Sequence, residues 1–500
     1  MSHKMIKIYL GLMICLIVTG CQQEPQPHFP SEINIHDYNG YVEFGTPIQT
    51  KGEGIQVNGN TVTIHTGGTY ALTGESMDGQ VIIDAGDQPV ELVFAGLELT
   101  CQNNSPILIR SAQAVTLTTK EDTQNKLKDT KNYLLNDIGA TAVIYSQCDL
   151  TLKGKGLLEI EGRYQNGIET KGNMTIESGR YIIDAVYNGC VSFNQMVLQK
   201  ADYTIQSDDT AIKGKTIFVQ DGTFLLESKK TAMAAEWMDI TQGMWTVESQ
   251  ENGFIAEELL TIRDGTYLFD SKKRCMEAND LAIYQGAFTL NSEEIGISVK
   301  DHFAVYGGTL RIDNSQTGLL AHSLDVNDGT LNIMSTVDGL HIIEKNEQAG
   351  NLLIQNGNII IDAGSIGFNI EGTMKMQGGT VYLNGPTHSQ SQALVCSQAY
   401  EMNGGIFCSL DMSGPTQLPI PESQQAGLLI TLGKSFATGT SIMIKDNNDH
   451  NIFEYTSLKA FQTMMISTVK LSLGDTYLIY INNQLYGEIT LYTAYSPIRY

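Results

Sequence analysis

Two stretches hold opposite charges in one frame: SDDTAI at 207–212 carries two carboxylates, and SKKTAM at 228–233 carries two ammonium groups twenty-one residues later. Further along, Glu251-Asn252, Lys273-Arg274 and Glu294-Ile295 stand at the matching place, so the sign alternates along the chain. Two chemistries are open to such a set. The oxygens of Asp208, Asp209 and Asn188, with Asp184 nearby, make an oxygen-only ligand set that would suit calcium. Alternatively, lysines stacked against aspartates offset the acids from within the protein, and a turn ladder of asparagine and aspartate needs no metal. Catalysis needs more. A uronate lyase sets a base beside a cation that neutralises the carboxylate and acidifies the adjacent C–H. Lys213, Arg163 and Lys171 are bases within reach in sequence, but no acid cluster with an isolated base accompanies them, and no catalytic residue is assigned.

The elements that must position these groups follow from a repeat. From residue 165 one phrase returns: QNGI, YNGC, DDTA, KKTA, ENGF, KRCM, EIGI, QTGL, VDGL, SIGF and SQAL. Its third residue falls at Gly167, Gly189, Thr210, Thr231, Gly253, Cys275, Gly296, Gly318, Gly339, Gly367 and Ala393, mostly 21 or 22 residues apart. A leucine-rich repeat shares that period but needs leucines at set places and a helical return, and neither is visible. Instead a second landmark (DGTF, DGTY, GGTL, DGTL, GGTV) opens strict alternation, as in Tyr181 and Ile183, Phe224 and Leu226, or Trp245 and Val247. Period-two alternation is a strand with one buried face. The expected fold is all-β: a right-handed parallel β-helix of 21–22 residues per coil, the hand following the general rule for parallel crossovers. The 49 glycines against 11 prolines fit many tight turns and few breakers. Strand texture begins near Thr61, and the polar stretch from Lys120 to Gly139 reads as a protruding loop.

In such a helix, residues one coil apart stack in columns about 4.8 Å apart. Tyr181, Tyr203, Phe224, Trp245, Tyr267 and Phe288 form an aromatic column. It shares a face with aliphatic residues, so it reads as interior and not as a sugar platform. Trp237 is the better candidate for sugar contact, because Met238 and Ile240 take the inward places. An outward column reads Asp184, Gln206, Glu227, Glu248, Asp270 and Asn291. Adjacent like charges there call for a cation or a side-chain counter-charge.

The ends differ from the middle. Lys4 and Lys7 precede an apolar run from Ile8 to Val18 that is short for a membrane span, followed by Thr19, Gly20 and Cys21. Val18-Thr19-Gly20-Cys21 resembles a lipobox, which implies cleavage before Cys21 and a lipid on its sulfur. Without residues 1–20 the basic residues fall from 31 to 29 against 55 acids, a net charge of −26, so nucleic acid is not an expected partner. Cys101, Cys148, Cys190, Cys275, Cys396 and Cys408 are widely spaced, with no CxxC, and read as small buried hydrophobes. From Gly427 the repeat stops, and short alternating segments around Asn482-Asn483 suggest a small antiparallel β module. Asp446-Asn447-Asn448-Asp449 lacks the glycine and distal glutamate of an EF-hand and reads as a hairpin turn. The expected organisation is a signal peptide over 1–20, a lipid-anchored tether and N-terminal cap over 21–60, the β-helix over 61–412, a linker over 413–426 and the C-terminal module over 427–500.

The leader, the opening GGTYALTGESMDGQVIIDAGDQPVELVFAGLELT at 67–100 and the NGI…TI…G coils resemble a family of bacterial carbohydrate-binding surface lipoproteins. The resemblance implies a pectate-lyase-like β-helix that binds cellulose-like and acidic polysaccharides, with calcium at the helix surface. The family's Asp-Asp-Gly-Ile phrase survives here only in altered form, at Asp208-Asp209, at Asn166 and Asn188 before glycine, and at Asp338. The expected function is a non-catalytic, lipid-anchored polysaccharide-binding monomer at the cell surface. A lyase or hydrolase on the same scaffold, and a structural or adhesive spacer with protein partners, are the alternatives.

Overall fold

Alternation and glycine turns build what the repeat predicts. The computed structural model describes residues 37–134, 138–415 and 417–499, and among them there is no α-helix. Leu-, Ile- and aromatic-rich strands wind into a β-solenoid of about 16 turns. One hydrogen-bonded sheet of 42 strands follows the solenoid and its caps, and a separate sheet holds four.

Each central coil has a short strand and a long one. The short strands Asp202–Ser207, Thr223–Ser228, Met244–Ser249 and Thr266–Ser271 pair in parallel, with Tyr203, Phe224, Trp245 and Tyr267 in direct register. Those rings lie inside and stack: Phe224 and Trp245 are 3.7 Å apart at 3°, and Tyr267 and Phe288 are 4.5 Å apart at 5°. The long strands Cys190–Leu198, Thr210–Val219, Thr231–Ile240, Asn252–Ile262 and Arg274–Ile283 also pair in parallel. Nearly all of them break register midway, as between Ser192 and Gln195 or between Ala235 and Trp237. A bulge re-aims the strand, so one long strand turns a corner and supplies two faces.

The registers correct the small-residue column in two coils. Cys190 pairs with Ile212 and Ile212 with Met233, so Ala211 and Ala232, not Thr210 and Thr231, stand in line with Gly189 and Gly253. The column is small for a steric reason. A Cβ on Gly189 would sit 2.4 Å from Ile205 and 2.5 Å from the Ala211 carbonyl oxygen. The corrected line also sharpens the charge pattern, which becomes Asp209, Lys230, Glu251, Lys273 and Glu294, with Glu251 receiving Lys273 at 3.0 Å.

The stretch Lys120–Gly139 is only partly a loop. Gln124–Lys128 is a strand in register with Val90–Thr100 and Leu157–Gly162. Its polar composition hid it, because the inward place goes to an asparagine. Asn125 is fully buried, accepts from the Gly96 and Leu97 amides at 2.9 and 3.0 Å, and donates to the Leu157 carbonyl at 3.1 Å. The parallel register likewise starts early, since Gly40–Phe44 pairs with Gly68–Ser76.

At the other end, Ile406–Asp411 of the last coil pairs antiparallel with Phe461–Thr468, which pairs antiparallel with Gly427–Phe436. This covers an edge that would otherwise offer unpaired amides to another chain. Ser441–Asp446, Asn451–Thr456, Thr476–Ile481 and Gln484–Thr490 form the four-stranded sheet. Asn482 and Asn483 both take positive φ, 51° and 62°, in its tight hairpin. Asp446–Asp449 is likewise a hairpin turn. Asn384 ties module to solenoid, accepting from the Leu458 amide at 3.1 Å and donating to the Tyr455 hydroxyl at 2.9 Å.

Candidate functional site

The calcium candidates are held apart by protein counter-charges. Asp208 receives Lys229 at 2.6 Å and Asp209 receives Lys230 at 3.1 Å, each from the next coil. Asp184 faces Arg163 at 2.8 Å, and Arg163 also reaches Glu161. Asn188 points inward: its side-chain amide donates to Asn166 Oδ1 at 2.9 Å, and its own Oδ1 accepts from the Thr210 amide at 3.2 Å. Among the described residues no three His, Cys, Asp or Glu side chains converge as a metal cage. In the outward acidic column, Gln206 donates to Glu227 at 2.6 Å and Asn291 to Asp270 at 3.0 Å. Cys21 lies outside the described residues.

A groove of about 530 Å³ opens on the long-strand face. Its floor is the outward column Val191, Lys213, Ala234 and Ile255, in which the small or branched side chains on either side of Lys213 leave room above the sheet. Tyr187, 45% exposed, rises from the turn on one side. Phe193, 53% exposed, rises from the bulge on the other. Local hydrogen bonds build that bulge. Ser192 Oγ shares its one proton between the Gly172 and Gln195 carbonyls, at 3.1 and 3.0 Å, and Asn194 donates to the Lys171 carbonyl at 3.2 Å. The chain between is pushed outward with the phenylalanine at its crest.

Three lysines line the groove in two different states. Lys171 is locked onto Glu169 at 2.6 Å, and its ammonium sits 3.5 Å from the Phe193 ring centroid. Lys213 and Lys215 have no carboxylate within 4.0 Å among the described residues. Glu236 and Glu257 line it from the next two coils, Glu236 level with Lys215. Burial, and secondarily the charge of Glu169, pushes the Tyr145 phenol upward beside this site. An exposed aromatic ring on either side of a floor that carries Lys213, with Lys215 beside it and carboxylates on the next two coils, is suited to a sugar chain. Rings take the apolar faces of pyranoses, and the charged groups take hydroxyls and acid substituents.

Trp237, 46% exposed, is outside this groove. It stands just past the strand corner, in register with Thr216 and Leu259, while Glu236 beside it lines the groove. Lys213 and Lys171 come together in the groove, whereas Arg163 is committed to the acidic column.

The model of the family described as carbohydrate-binding domain-containing protein matches residues 58–294 and 278–476. The chain belongs to that family. A relative from Acetivibrio thermocellus, described in the same words, is 29% identical over 191 residues, covering 37% of this chain and 66% of the relative. The chain thus matches just under two thirds of that relative's length. A polysaccharide lyase-like protein from C. thermocellum, solved as a gadolinium derivative, aligns with a TM-score of 0.35 at 21% identity, over 55% of this chain and 94% of that one.

Proposed function

We propose that this family member binds polysaccharide in the groove over Val191, Ala234 and Ile255, gripping sugar rings between Tyr187 and Phe193. The observation that carries the reading is Phe193, a large apolar ring held half in solvent by a built bulge at the mouth of a groove, in a chain of a carbohydrate-binding family. Exposed Lys213 and Lys215 favour a chain bearing acid groups, and Trp237 extends the contact for a ligand long enough to round the corner. Because Lys229 and Lys230 already meet Asp208 and Asp209, the reading has binding proceed without calcium. Lys4, Lys7, the apolar run and Cys21 support a lipid anchor at the cell surface.

Affinity electrophoresis through gels containing polygalacturonate or hydroxyethyl-cellulose tests the binding. The wild type is retarded, and Phe193→Ala and Tyr187→Ala migrate freely. Equal retardation of all three sinks the reading. Growth of ultraviolet absorbance on incubation with polygalacturonate would convert it into a lyase acting in the same groove. Cys21→Ala, followed by cell fractionation, tests the anchor: the variant leaves the membrane fraction, and retention there refutes the anchor.

A further inference from the structure

The three groove lysines differ in what surrounds them, and the difference assigns them different work. Glu169 is 3% exposed. One of its carboxylate oxygens receives Lys171 at 2.6 Å, while the other receives Thr141 Oγ1 at 2.5 Å and Asn166 Nδ2 at 2.6 Å. A carboxylate this deep needs its counter-charge, because removing one partner of a buried pair leaves the other uncompensated. The charge of Lys171 is therefore already matched within the protein. What its ammonium does reach is the face of Phe193, at 3.5 Å, with the Tyr145 ring 5.7 Å away on another side. A cation over an aromatic face is attracted by the ring quadrupole, so the pair restrains a ring that is otherwise half in solvent.

The same carboxylate sets a second orientation. Because Glu169 takes the Asn166 Nδ2, the Asn166 Oδ1 must point along the axis, where it accepts from the Asn188 backbone amide at 3.1 Å and from its side-chain amide at 2.9 Å. That fixes the residue next to Tyr187, the opposite wall of the groove. One buried acid thus sits behind both walls.

We propose that Glu169 is a positioning residue. It withdraws Lys171 from ligand recognition and uses it as a prop for Phe193, leaving Lys213 and Lys215 as the cations that read charge on the bound chain. This rests on the reading of the groove as a glycan site, and the test separates the two. Affinity electrophoresis with hydroxyethyl-cellulose as neutral probe and polygalacturonate as acidic probe is run across a salt series. Glu169→Gln and Lys171→Met weaken both probes several-fold by the same factor and leave the salt dependence as in the wild type. Lys213→Met weakens polygalacturonate alone and flattens its salt dependence, since exposed charge contacts are the ones salt screens. If Lys171→Met instead flattens the salt dependence as Lys213→Met does, Lys171 contacts the ligand and the proposal is overturned.

A second measurement needs neither a ligand nor the Glu169 variant. In the full chain with ¹³C-methylated lysines, the Lys171 methyl signal, identified by its loss in Lys171→Met, lies upfield from the Phe193 ring current and returns to the main lysine cluster in Phe193→Leu. A Lys171 signal within that cluster in the wild type overturns the proposal. Should the wild type bind neither probe while the upfield signal is present, the glycan reading fails and the prop stands.

Discussion

Replacing Trp245 by alanine removes the centre of the interior stack. The ring is 2% exposed, lies 3.7 Å from Phe224 and 6.1 Å from Tyr267 in near-parallel planes, and meets Phe254 edge-on at 5.2 Å. Truncating a buried Trp to alanine costs about 3–5 kcal/mol when the cavity cannot collapse. Here it cannot, because the ring is held between coils fixed by backbone ladders. Trp245→Phe is the informative partner. Trp245 Nε1 is buried and makes no well-formed hydrogen bond, only a weak approach to the Tyr267 hydroxyl, so phenylalanine keeps a stacked ring and deletes a donor that gains little, and the expected cost is about 1 kcal/mol or less. The assay is equilibrium urea unfolding of the variants followed by circular dichroism, and separately the fluorescence of Trp237→Phe, in which Trp245 is the sole reporter of the two tryptophans. Emission should be blue and resistant to acrylamide. A shift below about 1 kcal/mol for Trp245→Ala, or ready quenching of Trp245, would refute the inward column and the register that places it there.

Three further outcomes follow from the same geometry. Burial alone would raise Glu161, but hydrogen bonds from Lys126, Lys128 and Arg163 outweigh it and bring the carboxyl down to about 2 from 4.5. Its folded value lies below its unfolded one, so its contribution is present above about pH 4.5 and is lost as pH falls through 2. Melting of wild type and Glu161→Gln should converge across that window, by about 1 kcal/mol after allowance for solvent screening, and parallel curves contradict this. Asn125→Ala leaves the half-buried Gly96 and the buried Leu97 amides without their acceptor; urea unfolding should show a loss of about 2–4 kcal/mol, and an unchanged midpoint would deny the strand at 124–128. Thermal melting in chelator should match melting in calcium, since lysines meet Asp208 and Asp209; a large drop in chelator would show that a metal holds the coils.

The coil period, the aromatic column and the alternating charges were all legible in the sequence, because each depends only on residues one coil apart adopting the same backbone. The small column slipped by one in two coils because a Thr-Ala pair offers two small residues, and only the inward neighbour, Ile212 or Met233, decides between them. The strand at Gln124–Lys128 was hidden by an inward asparagine, a polar residue whose burial makes sense only once its backbone partners are in place. The groove was the least legible feature. Its walls come from a turn and from a register break, and its floor is assembled from four coils. The one local signal was Phe193 in SFNQ, an aromatic where alternation fails among polar residues. Glu169 gave no signal, since its partners are Thr141, distant in sequence, and Asn166 of its own strand, whose inward turn shows only once the coils are stacked.

The most direct test of the glycan groove is hydroxyl-radical footprinting of the full chain with and without oligogalacturonate, read by mass spectrometry. Tyr187, Phe193, Tyr284 and Tyr306 are comparably exposed in the free protein, but the latter two stack on each other on a different face. Ligand should protect Tyr187 and Phe193 from oxidation and leave Tyr284 and Tyr306 unchanged. Protection of Tyr284 and Tyr306 with continued oxidation of Phe193 would contradict the account.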